Sequence, residues 1–266
     1  MKPLRAVGAG FGAAFCCLTG TTAGLDIDAY RVVDLSHPYN AETVYWPTAP
    51  SRFELTRLAW GETSGGFFYA ANAFATPEHG GTHMDAPIHF FADRQSVDEV
   101  PIDRLIVPAV VIDISDRAAE DRNYRLSTDD VRAFEERHGE IAQGVAVLLH
   151  TGWSRFWPDV KSYLGDDTPG DASKLEFPSF GADAARLLIE ERGVVMLGVD
   201  TASIDFGKSN DFPVHRIAAE ANVPGLENLT GLEQLPALGT TLIALPMKIE
   251  GGSGAPVRVV ALVPNR

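Results

Sequence analysis

Thiol chemistry is almost missing from this chain. Its 266 residues hold only two cysteines, Cys16 and Cys17, side by side near the N-terminus. The rest of the sequence can form no disulfide and offers neither a thiolate nucleophile nor sulfur for a metal. Basic residues are also scarce, with 22 Lys and Arg against 36 Asp and Glu and a formal charge of -14. That balance argues against a general nucleic-acid binder, whose surface is normally basic. No apolar run past the N-terminal segment has the length of a membrane span. No glycine-rich nucleotide fingerprint follows a strand, and no G-x-S-x-G elbow occurs. Ser154, Ser203 and Ser209 are therefore read as hydrogen-bonding groups and not as nucleophiles.

What remains is sufficient for a large core, since 45% of the residues are apolar. Lys2 and Arg5 precede the small, uncharged run AVGAGFGAAFCCLTG, and Thr21-Thr22-Ala23 offers a small-residue cleavage site. Residues 1–23 therefore read as a signal peptide, and residues 24–266 as one exported domain in the periplasm or outside the cell.

Within that domain, strands are expected at Tyr30–Leu35, Arg52–Trp60, Phe67–Phe74, Leu105–Ile114, Val145–His150, Val194–Val199, Leu242–Lys248 and Val257–Val263. Helices are expected from Ser127 through Glu136, from Phe180 to Arg192 with Gly193 as the stop, and from Phe212 to Ala221. The fold class is α/β, a single compact domain around a mixed sheet or barrel. The order of elements is too irregular for a doubly wound sheet.

One stretch concentrates the chemistry: HGGTHMDAPIHF, His79 to Phe90. His79, His83 and Asp85 offer nitrogen and oxygen donors suited to Zn²⁺, Mn²⁺ or Fe²⁺. Gly80 and Gly81 favour a turn, after which Thr82 to Asp85 can run extended. Side chains then alternate with period two, so His83 and Asp85 share a face. His89, beyond Pro87, suits proton transfer. Three protein donors without sulfur leave a coordination position open, as catalytic metals require. Whether one or two ions bind is left open by the spacing.

The remaining histidines are less telling. His138 fits a solvent-facing helix end, His150 ends a buried strand, and His37 lies in a loop before Trp46. His215 and Glu227 follow the polar segment that opens at Asp200, and by spacing alone each is either a ligand or ordinary. Trp46, Phe67, Phe68 and Tyr69 are candidates for an aromatic pocket, with core packing as the competing reading. Arg52, Arg57, Lys208 and Arg216 are either anion contacts or plain surface charge.

The segment resembles the H-x-G-T-H-x-D-x-P-x-H signature of the cyclase-like metal-dependent hydrolases, which include bacterial kynurenine formamidase and isatin hydrolase. The resemblance continues through Asp34–Pro47, DTASID at Asp200–Asp205, His215 and Glu227. It implies a swivelling-type α/β domain that assembles as a homodimer or larger homo-oligomer. It also implies metal ligation by His79, His83 and Asp85, with His215 and Glu227 completing the site, and His89 as general acid/base. Trp46 corresponds to an aromatic substrate contact, and Phe67 and Phe68 are expected beside it. The cofactor implied is Mn²⁺, with Zn²⁺ as the alternative, as one or two ions. TASIDFGKSNDF, Thr201 to Phe212, lies nearer the isatin-hydrolase side. The expected reaction is hydrolysis of the amide C–N bond in a small aromatic cyclic amide, isatin to isatinate, with N-formylkynurenine as the alternative substrate. An exported metal- or small-ligand-binding protein without turnover is the reading from another class, and it would have no need of His89.

Overall fold

A computed structural model describes residues 26–265. The expected signal peptide lies outside the described residues. In chain order the strands are β1 (Tyr30–Asp34), β2 (Glu54–Glu62), β3 (Phe68–Ala75), β4 (His83–Asp85), β5 (Ile106–Asp113), β6 (Arg125–Leu126), β7 (Ala146–His150), β8 (Ser179–Phe180), β9 (Met196–Val199), β10 (Gly225–Glu227), β11 (Thr240–Pro246) and β12 (Gly254–Pro264). The α-helices are α1 (Ser115–Glu120), α2 (Thr128–His138), α3 (Val160–Leu164), α4 (Ala182–Arg186) and α5 (Pro213–Glu220).

The main sheet closes on itself. Its order β12-β11-β5-β7-β9-β10-β4 returns to β12, because Gly254–Pro256 pair with β4. The same long strand pairs with β11 farther on and carries β1 along its end. β5, β7, β9 and β10 run parallel, and the remaining barrel pairings are antiparallel. The barrel is thus mixed, as the sequence pattern implies.

Alternation along the strands builds two cores. Ala146 and Leu148 of β7 turn inward with Val107, Val259 and Ala261 to fill the barrel. Val147 and Leu149 turn outward under α2, α4 and α5, against Phe134, Leu188 and Ile217. These four side chains of β7 are fully buried, which explains why Ala146 to Leu149 read as an unbroken apolar run. Each buried leucine contributes about 1.5–3 kcal/mol through the area withdrawn from water. A third cluster, Trp153, Tyr163 and Phe177, packs beneath Trp46.

Local signals end the helices where the physics requires. Ser127 and Asp130 form a reciprocal capping box at the start of α2, through Asp130 N to Ser127 Oγ (3.2 Å) and Ser127 N to Asp130 Oδ2 (2.9 Å). The helix expected from Phe180 to Arg192 is shorter and divided. It is α-helical over α4, then widens to a π-turn at Leu187–Glu191 before Gly193 turns it off with φ +64°. The short strands β4 and β10 lie side by side, with Glu227 opposite His83 and Gly225 opposite Asp85. This pairing creates the site. β10 is too short for a pattern of alternation to announce it.

β2 and β3 stand apart. They pair only with each other and form a two-stranded hairpin outside the barrel.

Candidate metal centre and cleft

The turn before β4 explains its pair of glycines. Gly80 has φ +153°, and a Cβ there would come 2.0 Å from Cδ1 of Tyr45. Gly81, at φ +59°, would press a Cβ to 2.7 Å from Tyr39. Only glycine fits both the backbone angles and the close approach. The turn swings His79 back over the start of β4, and His83 and Asp85 then share one face.

Three imidazoles converge on two carboxylates. Asp85 Oδ1 lies 2.7 Å from His79 Nδ1 and 3.1 Å from His83 Nε2. Asp85 Oδ2 lies 3.0 Å from His215 Nε2, which α5 brings in from across the barrel mouth. Glu227 reaches the same group from β10, with Oε1 3.2 Å from His215 Nε2 and Oε2 3.5 Å from His83 Nε2. The backbone N–H of Ile204 holds Glu227 Oε1 at 2.8 Å. Two donor groups result, His79–Asp85–His89 and His83–Asp85–Glu227, each with its ligand atoms within 4.8 Å of one another.

The chemistry of these donors fits a divalent cation. His83 Nδ1 lies 3.0 Å from the carbonyl of Gly81, so in the neutral ring its proton sits there. Its Nε2 is then a bare lone pair, buried, with no hydrogen-bond partner, facing carboxylate oxygens. Lone pairs turned on one another in a buried site call for a cation between them. Burial pulls the His83 pKa down, but the Asp85 carboxylate 3.1 Å away and the charge of Glu227 outweigh this and raise it to about 9. Burial likewise opposes ionisation of His215, yet Asp205, Asp85 and Glu227 hold its pKa well above the ordinary value. Asp85 is driven well below the carboxylate range, burial being overcome by the three histidines.

Beside this centre opens a cleft of about 320 Å³. Trp46, Phe90 and Phe212 form its aromatic walls, and His89 lies at its floor, its ring stacked 3.8 Å over His79. Burial lowers the His89 pKa to about 4, the neighbouring Asp85 only partly countering it. His89 is therefore neutral at pH 7.

Residues 33–206 match the model of the family described as "Putative cyclase". The chain belongs to the cyclase family. The isatin hydrolase of Roseibium aggregatum is 37% identical over 210 residues, spanning 76% of this chain and 78% of that protein. A kynurenine formamidase of Salinibacter ruber is 31% identical over 182 residues, spanning 68% of this chain and 74% of that protein. The crystal structure of an isatin hydrolase bound to the product analogue thioisatinate superposes with a TM-score of 0.81 at 32% identity, covering 90% of this chain and 94% of that one.

In this cyclase-family chain, His79, His83, Asp85, His89, His215, Glu227 and Trp46 all line one cleft. Phe67 and Phe68 do not. They stand at the tip of the β2–β3 hairpin, 61% and 60% exposed, because that hairpin projects from the barrel instead of folding over the cleft. Tyr69 is exposed beside them. His150 pairs with Asp113 at 3.3 Å, and His37 stacks on Trp157 at 4.1 Å. His138 ends α2 against Phe134. Lys208 pairs with Glu176 at 2.7 Å, and Arg57 lies over Trp60.

Spacing alone missed Asp205. Its Oδ2 accepts from both the backbone N–H and the ring Nδ1 of His215, and Oδ1 accepts from Val214 N, capping α5. Phe212, the residue at the N-cap, has no side-chain acceptor and φ +48°. Phe90 and Phe212 were also missed as cleft walls. The one signal for them was local, since each adjoins a site residue or a helix-opening proline.

Proposed function

We propose that this chain hydrolyses the amide C–N bond of a small, flat, uncharged aromatic cyclic amide, with isatin, opened to isatinate, as the substrate. One observation carries the choice: among the described residues lining the cleft there is no Lys or Arg. Beyond the metal-binding corner the walls are mainly aromatic and apolar, with the uncharged polar side chains of Thr48, Ser203 and Asn228 among them. N-formylkynurenine carries an ionised amino-acid end, and nothing in this cleft would pair with its carboxylate. A neutral bicyclic ring needs no such partner and gains from stacking on Trp46, Phe90 or Phe212. The cleft volume, about 320 Å³, sits at the small end of the range for ligand sites. The similarity to isatin hydrolase, in sequence and in structure, supports the same reading.

His79, His83, Asp85, His215 and Glu227 would hold the cation. Nitrogen and oxygen donors without sulfur suit Mn²⁺, with Zn²⁺ as the alternative, as one ion or two around the shared Asp85. A divalent cation supplies Lewis acidity there, toward a carbonyl oxygen and toward water. His89, neutral and facing the cleft, takes a proton from the attacking water and returns it to the leaving nitrogen. The hydroxyl joins the carbonyl carbon, the C–N bond breaks and the nitrogen gains a proton. The products are an arylamine and a carboxylate on one molecule, with one proton released to solvent.

The hairpin is proposed as the surface through which copies associate. Leu55, Leu58, Trp60, Phe67, Phe68, Tyr69 and Phe74 are each more than half exposed on it. Leu55, Trp60, Phe68 and Phe74 share one face of the hairpin, an exposed apolar surface of the kind that marks an association site. Export is proposed from the N-terminal segment, and N-terminal sequencing of the protein recovered from the periplasm tests it. No helix among the described residues is long and apolar enough to cross a membrane.

The deciding experiment is isatin ring opening followed by absorbance, with chelated protein reconstituted separately with Mn²⁺ and Zn²⁺. Turnover restored by metal supports the reading. Metal-loaded protein that leaves isatin intact but deformylates N-formylkynurenine overturns it.

A further inference from the structure

Ser253 precedes β12 by one residue and reaches the metal centre from a part of the chain far from the histidine motif. Its Oγ lies 2.5 Å from Glu78 Oε2 and 2.9 Å from His79 Nε2. Its backbone N–H also donates to Glu78 Oε2, at 3.1 Å. A hydroxyl has one proton, and a carboxylate can only accept. The Ser253 proton therefore points at Glu78, and the Ser253 oxygen offers a lone pair to His79. His79 must answer with a proton on Nε2. Its Nδ1 is then bare and directed at Asp85 Oδ1, 2.7 Å away.

We infer that Glu78 and Ser253 are positioning residues that hold His79 as its Nε2–H tautomer and so select Nδ1 as the nitrogen turned toward the metal. The inference rests on the reading that the centre holds a divalent cation. His83 and His215 are set the other way round. Their Nδ1 protons go to the Gly81 carbonyl and to Asp205, and each presents Nε2 to the centre. His79 lies on the turn instead of on β4 or α5, so no backbone carbonyl or helix cap fixes its ring. The Glu78–Ser253 pair takes that role. Gly254 completes the arrangement: a Cβ there would come 2.6 Å from His79 Cε1, so the ring lies directly against the β12 backbone.

The test uses the full chain loaded with Zn²⁺, which is diamagnetic. Long-range ¹H–¹⁵N spectra of labelled histidine, with His79 assigned by its loss in His79→Gln, read the tautomer directly. A protonated Nε2 and a metal-bound Nδ1 are expected, and the opposite tautomer overturns the inference. Zn²⁺ affinity, measured by competition with a chelating dye, is expected to fall about 10- to 100-fold in Ser253→Ala and to recover in Ser253→Thr. Asp98→Ala releases the same loop at Gly251, whose backbone N–H donates to Asp98 Oδ1 at 2.9 Å, without touching the hydroxyl. It should keep wild-type affinity, and an equal loss there would assign the effect to the loop and overturn the inference. Unchanged affinity and tautomer in Ser253→Ala would do the same. If wild type binds Zn²⁺ no better than Asp85→Ala, the metal reading itself is what fails.

Discussion

Asp205 grips His215 twice, accepting its backbone N–H at 3.0 Å and its ring Nδ1 at 2.7 Å. One carboxylate thereby starts α5 and aims the Nε2 of His215 at Asp85 and Glu227. Asp205→Asn keeps the shape but can present an N–H where an acceptor is needed. A 10- to 100-fold loss of metal affinity, about the usual effect for such partners, is expected. The lost helix cap should cost about 1 kcal/mol in a denaturant titration. Full metal affinity in the variant would remove Asp205 from this role.

His89 stacks on His79 and lines the cleft, outside the five residues proposed to hold the cation. His89→Ala should lower kcat for isatin by about 10²–10⁴-fold while elemental analysis finds near-normal metal content. Surviving turnover would show that another group moves the proton.

Asp85 touches all three imidazoles, and both donor groups contain it. Asp85→Ala should abolish stoichiometric Mn²⁺ or Zn²⁺ binding. Chelating the wild type should lower its melting temperature, since a ligand bound only to the native state stabilises it by mass action. The chelator should leave the melting temperature of Asp85→Ala unmoved. A chelator effect of equal size in both proteins would place the metal elsewhere.

Away from the site, Glu135 on α2 binds Arg192 through two contacts, 2.7 Å and 3.1 Å. Arg192 holds the Glu135 carboxyl below its ordinary value. The folded state therefore favours the charged form. Its stabilising effect is complete above the unfolded carboxylate pKa and disappears as pH falls through the lower folded value. Glu135→Gln should be about 1 kcal/mol less stable than wild type at pH 7, and the gap should close as pH falls through the lowered folded pKa of Glu135. A constant gap across that range would mean packing, not charge, is responsible.

If copies associate through the hairpin as proposed, wild type should sediment as an oligomer and the variant with both Trp60 and Phe68 replaced by Glu as a monomer, with the barrel's circular dichroism unchanged. Wild type that sediments as a monomer would leave the hairpin without this function.

Much of the centre was legible in twelve residues. The donors of HGGTHMDAPIHF lie close along the chain, the glycines mark the turn, and period-two alternation puts His83 and Asp85 on one face. The mixed sheet was legible for a similar reason, because strands buried on both sides read as apolar runs. Proximity across the barrel was not. His215 meets Asp85 from 130 residues away, and Ser253 meets His79 from 174. No local pattern records such contacts, which exist because β12 closes the ring against β4 and β10 lies along it. The same limit governs the aromatics. Trp46 and the hairpin residues Phe67 and Phe68 look alike in sequence, as bulky groups near turns. Whether such a side chain meets the cleft or solvent depends on what its segment packs against, the barrel for Trp46 and only a hairpin for Phe67 and Phe68. The sequence by itself determined the donor chemistry and the local turn, through residue type and short-range backbone geometry. Only the tertiary structure decided which distant groups complete the centre, because closure of the barrel is a long-range pairing.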